Sequence, residues 1–419
     1  MSGHAEGKSK RLGEGPRRWF GDGPDERSST RSPRGRYNPL ARRSLAEAFD
    51  PRDNALGLFR LLFASSVIVA HAYPLSGRGP DPLVRLSDGQ ATLGGFAVTG
   101  FFIVSGFLVI RSALRASTLR YVWRRFVRIF PGFWVCLIVT ASVFAPAMWL
   151  YENGITRGFL RHDQGPLSYM YANVATGMNQ YGISGLLVDT PYGDLVGASV
   201  FDGSLWTLIY EVGCYVVVGI VALTIVRRQA RYVVPFITGV LLVATILFAV
   251  GDPSFEHHIF GPAPLLGAID LYYVVTLGLA FALGAVLELY KEHVPVTDVL
   301  GLIGLTAFAA AIAWNGFIVV GPIAMAYTIF WIATRAPPTL RGIGRRNDYS
   351  YGIYIYAFPV QQMLAAVGLA TPSLALFIAL TFLATVPLAA LSWHLVEHPA
   401  LRKRDLDLRA FRLAPSRSS

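Results

Sequence analysis

Ten apolar runs of about 18–24 residues fill the chain between residues 55 and 395, and they constrain its fold more than any other feature. A helix of that length crosses a hydrocarbon core of ~30 Å. In lipid every backbone N–H and C=O must find a partner inside the protein, which favours helices over irregular chain. The runs lie at roughly 55–74, 92–113, 127–149, 204–226, 232–250, 268–290, 297–314, 317–334, 349–369 and 373–395, with ends uncertain by about two to four residues. They predict an all-α fold, a polytopic transmembrane helical bundle with about ten spans. Composition agrees: 53% of residues are hydrophobic, 15% are charged and the mean hydropathy is +0.46, far from a water-soluble domain of this size.

The net charge of +11 is unevenly placed. With a cytoplasmic N-terminus, the inner segments hold Arg111 to Arg128, Arg227 to Arg231, Lys291, Arg335 to Arg346 and the tail from Arg402. The outer loops hold only Arg78, Arg85, Arg157 and Arg161. This asymmetry follows the positive-inside rule and predicts that both termini are cytoplasmic. It explains the basic balance better than nucleic-acid binding does. The expected location is the cell (inner or plasma) membrane.

Residues 1–50 are rich in Gly, Ser, Pro, Arg and Lys. They are expected to form a disordered basic tail, solvated or touching anionic headgroups. They lack the apolar core of a signal peptide, so cleavage is not expected. Residues 51–400 form the membrane domain and 401–419 a second basic tail. Cys136 and Cys214 both lie inside apolar runs, which argues against a disulfide, and no metal-ligand spacing appears.

Arg60 and His71 interrupt the first run. Ionisable residues inside a span are costly and mark function by default. Their eleven-residue spacing puts them on one helix face, about 16 Å apart along the axis. His71 can take and give a proton near neutral pH. Arg125 and Arg128, three apart, share a face at the inner entrance of the third span. Such a fork suits a phosphate ligand through bidentate bonds, though an ordinary positive-inside cluster reads the same way. Glu211 lies about seven residues into the fourth span, roughly 10 Å below the outer surface by that count. A carboxyl there needs a partner or a proton. His71, at comparable depth, would be oriented by it as in hydrolase triads; Arg60 is the other candidate partner. Ser105 is a candidate partner of His71 or a ligand, within a glycine-rich run that reads first as close helix packing. Trp206, Tyr210 and Tyr351 are candidate substrate or structural residues. The segment from Trp393 to Pro399 reads as a structural cap. The long outer loop, about 150–203, carries Tyr169, Tyr181, Tyr192 and Asp194 and is expected to be an ordered cap.

These motifs together resemble the integral-membrane acyltransferases of the acyltransferase-3 family. The resemblance covers about 50–400. It rests on Arg60 with His71, on Phe101 to Phe107, and on Arg125-Phe126-Val127-Arg128 followed by Phe130-Pro131. It rests also on Ser204 to Glu211, Tyr351 to Pro359 and Ser392 to Pro399. One departure is plain. The family usually carries an acid three residues before the arginine of the first span; here that residue is Gly57, with Asp53 one turn earlier.

The resemblance implies an acyl-CoA co-substrate from the cytoplasm, most simply acetyl-CoA. It implies a sugar or polysaccharide hydroxyl as acceptor, and no permanently bound cofactor. His71, Glu211 and Arg60 would be catalytic, and Arg125 and Arg128 would hold the donor. With no second catalytic domain after the tenth run, the membrane domain is expected to act alone. A small-molecule acceptor is the nearer alternative. A multi-pass transporter is the other, although no two-halves repeat is visible.

Overall fold

The computed structural model describes residues 43–155, 157–224, 227–251 and 258–405. Ten principal helices follow the ten apolar runs. They are α1 (Leu56–Leu75), α2 (Leu93–Arg115), α3 (Thr118–Asn153), α4 (Leu205–Leu223), α5 (Gln229–Val250), α6 (Leu271–Leu289), α7 (Asp298–Ala313), α8 (Phe317–Arg335), α9 (Ser350–Ala366) and α10 (Leu374–Arg402). Eight of them are long and apolar enough to cross a membrane. The exceptions are α7, with 16 residues, and α9, with 17. At ~1.5 Å per residue each is about 24–26 Å long, short of a full hydrocarbon core. The ten expected spans are therefore all helices, but two are shorter than expected. Thr92, Thr297 and Ser373 cap α2, α7 and α10 by accepting a backbone N–H in the first turn.

Strand is confined, among the described residues, to two antiparallel pairs. Arg43–Ser44 pairs with Pro295–Val296, and Ile259–Ala263 with Gly267–Asp270. The first pair corrects the expected tail. Its first 42 residues lie outside the described ones. Residues 43–50 instead join the folded body: Ser44 and Glu47 close a capping box over Leu45–Ala48, and Leu45 and Phe49 are buried in the core. Leu45 and Phe49 supply the apolar anchors that a composition count over fifty residues averages away. Of the second tail, residues 406–419 lie outside the described ones.

Two glycines bring α2 and α6 into close contact at one crossing. An added Cβ at Gly106 of α2 would stand 1.9 Å from the Phe281 carbonyl oxygen of α6, and one at Gly284 of α6 would stand 1.9 Å from that of Ile103. Only glycine admits backbones this close, the small-residue packing used where water does not drive helices together. α1 and α2 run antiparallel, with Gly94 facing Ala70 and Gly100 facing Phe63. Ser105 therefore falls near the level of Arg60, not of His71. A π-helical turn interrupts α3 at Thr140–Phe144 and α10 at Trp393–Glu397. Such turns rotate the side chains beyond them and are frequent at functional sites.

The long loop expected on the outer side, about 150–203, is ordered over its described residues. It contains the helices Pro166–Ala172 and Pro191–Val196. Asp202 is fully buried, takes the Tyr169 hydroxyl on Oδ2 and leaves Oδ1 without a partner. Burial pushes its carboxyl up to about 7.

Candidate functional site

A cavity of about 900 Å³ opens at the face that carries the start of α1 and the end of α10. Eight arginines line it against three carboxylates, Glu211, Asp348 and Asp405. Of the residues singled out in the sequence, Arg60, Ser105, Arg125, Arg128, Glu211 and Tyr351 all reach it. They come from α1, α2, α3, α4 and α9, so the bundle assembles the site from segments far apart in the chain.

Asp348 organises the cationic wall. Its Oδ2 pairs with Arg60 and with Arg128 Nη2 (2.8 Å), while Ser350 Oγ donates to Oδ1 (2.6 Å). Two guanidiniums share one nearly buried carboxylate, which lowers the cost of holding them away from water. The acid that the family places before Arg60 is thus replaced from the other end of the chain. Asp53 does not fill that role, because it pairs with Arg341 (3.1 Å). Arg125 lies over the ring of Tyr215 with its guanidinium carbon 5.5 Å from the centroid, and Arg128 lies 6.0 Å from that of Tyr351. The Nε atoms of Arg60 and Arg125 are buried without a partner.

Glu211 sits deeper. Ser105 Oγ donates to Glu211 Oε1 (3.1 Å), the Tyr215 hydroxyl donates to the same oxygen (2.5 Å), and the two hydroxyl oxygens are 3.3 Å apart. This corrects two expectations. Ser105 binds Glu211 rather than His71, and Glu211 is not paired with His71. The depth estimate assumed that α4 starts at the outer surface. It starts lower, because the chain before it dips into the bundle: the Tyr354 hydroxyl donates to the Ser204 carbonyl (2.7 Å) and lies 2.5 Å from Thr207 Oγ1, and Gly203 meets the ring of Phe358. Six residues further, Glu211 has reached the level of Ser105.

His71 does not line the cavity. It packs edge-on against Phe358, with ring centroids 5.1 Å apart, and its Nδ1 is buried with no partner. Phe358 lies one turn above Tyr354, a residue of the cavity wall, and Phe101 packs against Tyr354 (5.9 Å). An aromatic layer therefore separates the cavity from His71. Gln361, fully buried on the next turn of α9, donates from Nε2 to the Ile68 carbonyl one turn before His71 (2.9 Å), leaving Oε1 free.

Trp206 and Tyr210 lie outside the cavity. Their rings pack tilted and edge-on against Tyr273, and the Tyr210 hydroxyl accepts the Asp270 backbone N–H (2.9 Å). The segment taken as a cap does more than close α10, since Trp393 and His398 line the cavity. Tyr215 and Asp348 were not picked out in the sequence. Tyr215 carried a signal, one helical turn from Glu211 on the same face. Asp348 carried a fainter one, a single acid after the basic run Arg341 to Arg346. No group of three potential metal ligands occurs among the described residues.

Comparison with known proteins identifies the family of the chain. The family profile described as "Acyltransferase domain" matches residues 53–394. The chain is 30% identical over 360 residues to an "O-acetyl transferase" of Shigella phage Sf6, covering 83% of this chain and 95% of the phage protein. It is 29% identical over 386 residues to "Nodulation protein 10" of Rhizobium leguminosarum bv. viciae, covering 84% of this chain and 94% of that one. No solved structure matches the chain.

Proposed function

The chain belongs to the acyltransferase-3 family and is a multi-pass membrane O-acyltransferase; from that premise we propose its donor, its acceptor and the direction of transfer. The donor is a cytoplasmic acyl-CoA, most simply acetyl-CoA, in keeping with the name of the phage relative. The charge asymmetry of the loops supports a cytoplasmic side for the cavity mouth. The observation that carries the proposal is the cavity itself: it begins in an excess of arginine and ends at Tyr354, one turn below the partner of His71. A polyanionic donor enters by the arginines and points its thioester inward. Arg60, Arg125 and Arg128 line that path, and the free Nε donors of Arg60 and Arg125 suit a polarised carbonyl oxygen.

The acceptor is a hydroxyl of a sugar or cell-surface polysaccharide, arriving from the outer side. His71 takes its proton, the oxygen attacks the thioester carbonyl, and the C–S bond breaks to release CoA, whose thiolate takes up the proton given back by His71, directly or through water, so the base is regenerated. Transfer requires the layer of Phe101, Tyr354 and Phe358 to part. Glu211, held by Ser105 and Tyr215, lines the donor path with Arg60 and Arg125. The test is transfer of radiolabel from acetyl-CoA to surface glycans in membranes containing the chain. Export of a compound without any label in an ester would favour a transporter instead. Label in a secreted metabolite alone would move the acceptor to the small-molecule class.

A further inference from the structure

The arginines of the cavity are not equivalent. Arg60 and Arg128 share Asp348, Arg124 and Arg404 share Asp405 (2.6 and 3.4 Å), and Arg125 covers Tyr215. Arg345, Arg346 and Arg402 are different. All three line the cavity, all three are exposed, and among the described residues none has an ion pair or a side-chain hydrogen bond. They stand on the rim, on two chain segments: the connection into α9 and the last turn of α10.

The connection is built rather than loose. Gly344 adopts a left-handed conformation (φ +71°) and rests on Gly57 of α1. A Cβ at position 57 would stand 2.4 Å from the Ile343 carbonyl oxygen and 3.0 Å from the Gly344 Cα. The acid usual at this position in the family is therefore excluded by the connection lying on it. Asp348 ties down the far end through Arg60 and Arg128. Arg345 and Arg346 are thus held at the rim from both sides.

We propose that Arg345, Arg346 and Arg402 form a phosphate site that takes the adenosine 3′,5′-bisphosphate end of the donor, with the Arg125–Arg128 pair serving the inner wall. The inference rests on the acyl-CoA reading above. Phosphates are the most strongly hydrated part of such a donor and are costly to bury, so they stop where water still reaches. Guanidinium forks bind phosphate bidentately, and among the described residues these three have no carboxylate partner to be drawn away from. The inner arginines are already compensated and have less charge to offer.

The test is equilibrium binding of coenzyme A, dephospho-coenzyme A and adenosine 3′,5′-bisphosphate to the purified full chain in detergent at low salt. Arg345→Ala, Arg346→Ala and Arg402→Ala are each expected to weaken coenzyme A binding by about tenfold, the scale of a lost charge-assisted bond. They should also narrow its advantage over dephospho-coenzyme A. The Lys variants should lose less. Gly57→Ala removes no charge, yet it should weaken binding by displacing the connection. Arg120→Ala, an exposed arginine of α3 outside the cavity, should change nothing. Thermal unfolding of each variant separates lost binding from lost fold. Unchanged coenzyme A affinity in all three alanine variants, or an equal loss in Arg120→Ala, overturns the rim site and leaves the donor reading intact. A parent protein that binds none of the three probes overturns the donor reading itself.

Discussion

Around Arg60 cations meet carboxylates, with Asp348 bridging Arg60 and Arg128 and with Glu211 bonded to Ser105 and Tyr215. Around His71, eleven residues further along the same helix, the ring meets Phe358 and Nδ1 meets nothing. The first region is open, polar and pre-paired; the second is drier and leaves acceptors unfilled. A paired wall can hold charge before a ligand arrives. An imidazole whose Nδ1 has no partner leaves that nitrogen open to a ligand. The contrast suits the proposed reaction, in which an anionic donor enters at the arginines and a hydroxyl is activated beyond the aromatic layer.

The strongest challenge to this contrast is His71→Ala. If the imidazole is the base, acyl transfer should fall by about 10²–10⁴, while coenzyme A affinity stays at the parent value. Transfer assays and binding on the same preparation check both, and a matching loss of donor binding would erase the distinction between the regions. Asp348→Ala should come next. It leaves two half-buried guanidiniums without their shared anion and should cost about 3–5 kcal/mol of stability. Asp348→Asn keeps the shape and a hydrogen-bond acceptor and should be milder; thermal unfolding ranks the two. Equal stability of both with the parent would mean that Asp348 does not organise the wall.

A subtler test concerns coupling. Glu211 and His71 stand at different levels and share no partner, so Glu211→Gln and His71→Ala should combine within about 0.3–0.5 kcal/mol of additivity in transition-state stabilisation. A double variant no worse than His71→Ala alone would return them to one unit. A pH-dependent effect is expected in the long loop that carries Asp202. The Asp202 carboxyl is raised to about 7 by burial, so the folded protein binds a proton there that the unfolded chain has released. Its stabilising contribution is therefore full below the unfolded value near 4 and is lost as pH rises toward 7. Asp202→Asn should flatten that slope and gain on the parent at pH 8, by thermal unfolding at pH 5 and pH 8; an unchanged slope would discount the buried carboxyl.

Much of the site was legible because spans advertise their exceptions. An arginine, a histidine and a glutamate inside apolar runs stand out with no structure at all, and six of the nine residues singled out do reach one cavity. Partners were not legible. Asp348 lies 288 residues from Arg60, and nothing local links them. Depth failed for a related reason: residue counting fixes position within a helix but not where that helix begins relative to its neighbours. The recessed start of α4 is set by Tyr354 bonding to Ser204 and Thr207, a long-range contact.

By itself, then, the sequence determined the all-α membrane architecture, because apolar run length and backbone satisfaction in lipid leave few other solutions. It also determined the shared face of Arg60 and His71, which follows from helical periodicity alone. Only the tertiary structure decided that these two residues belong to different environments, that Gly57 is covered by backbone where an acid was expected, and that three rim arginines have no ion pair among the described residues. Each of these depends on which helix lies against which and at what height, and close packing of side chains from distant segments sets that.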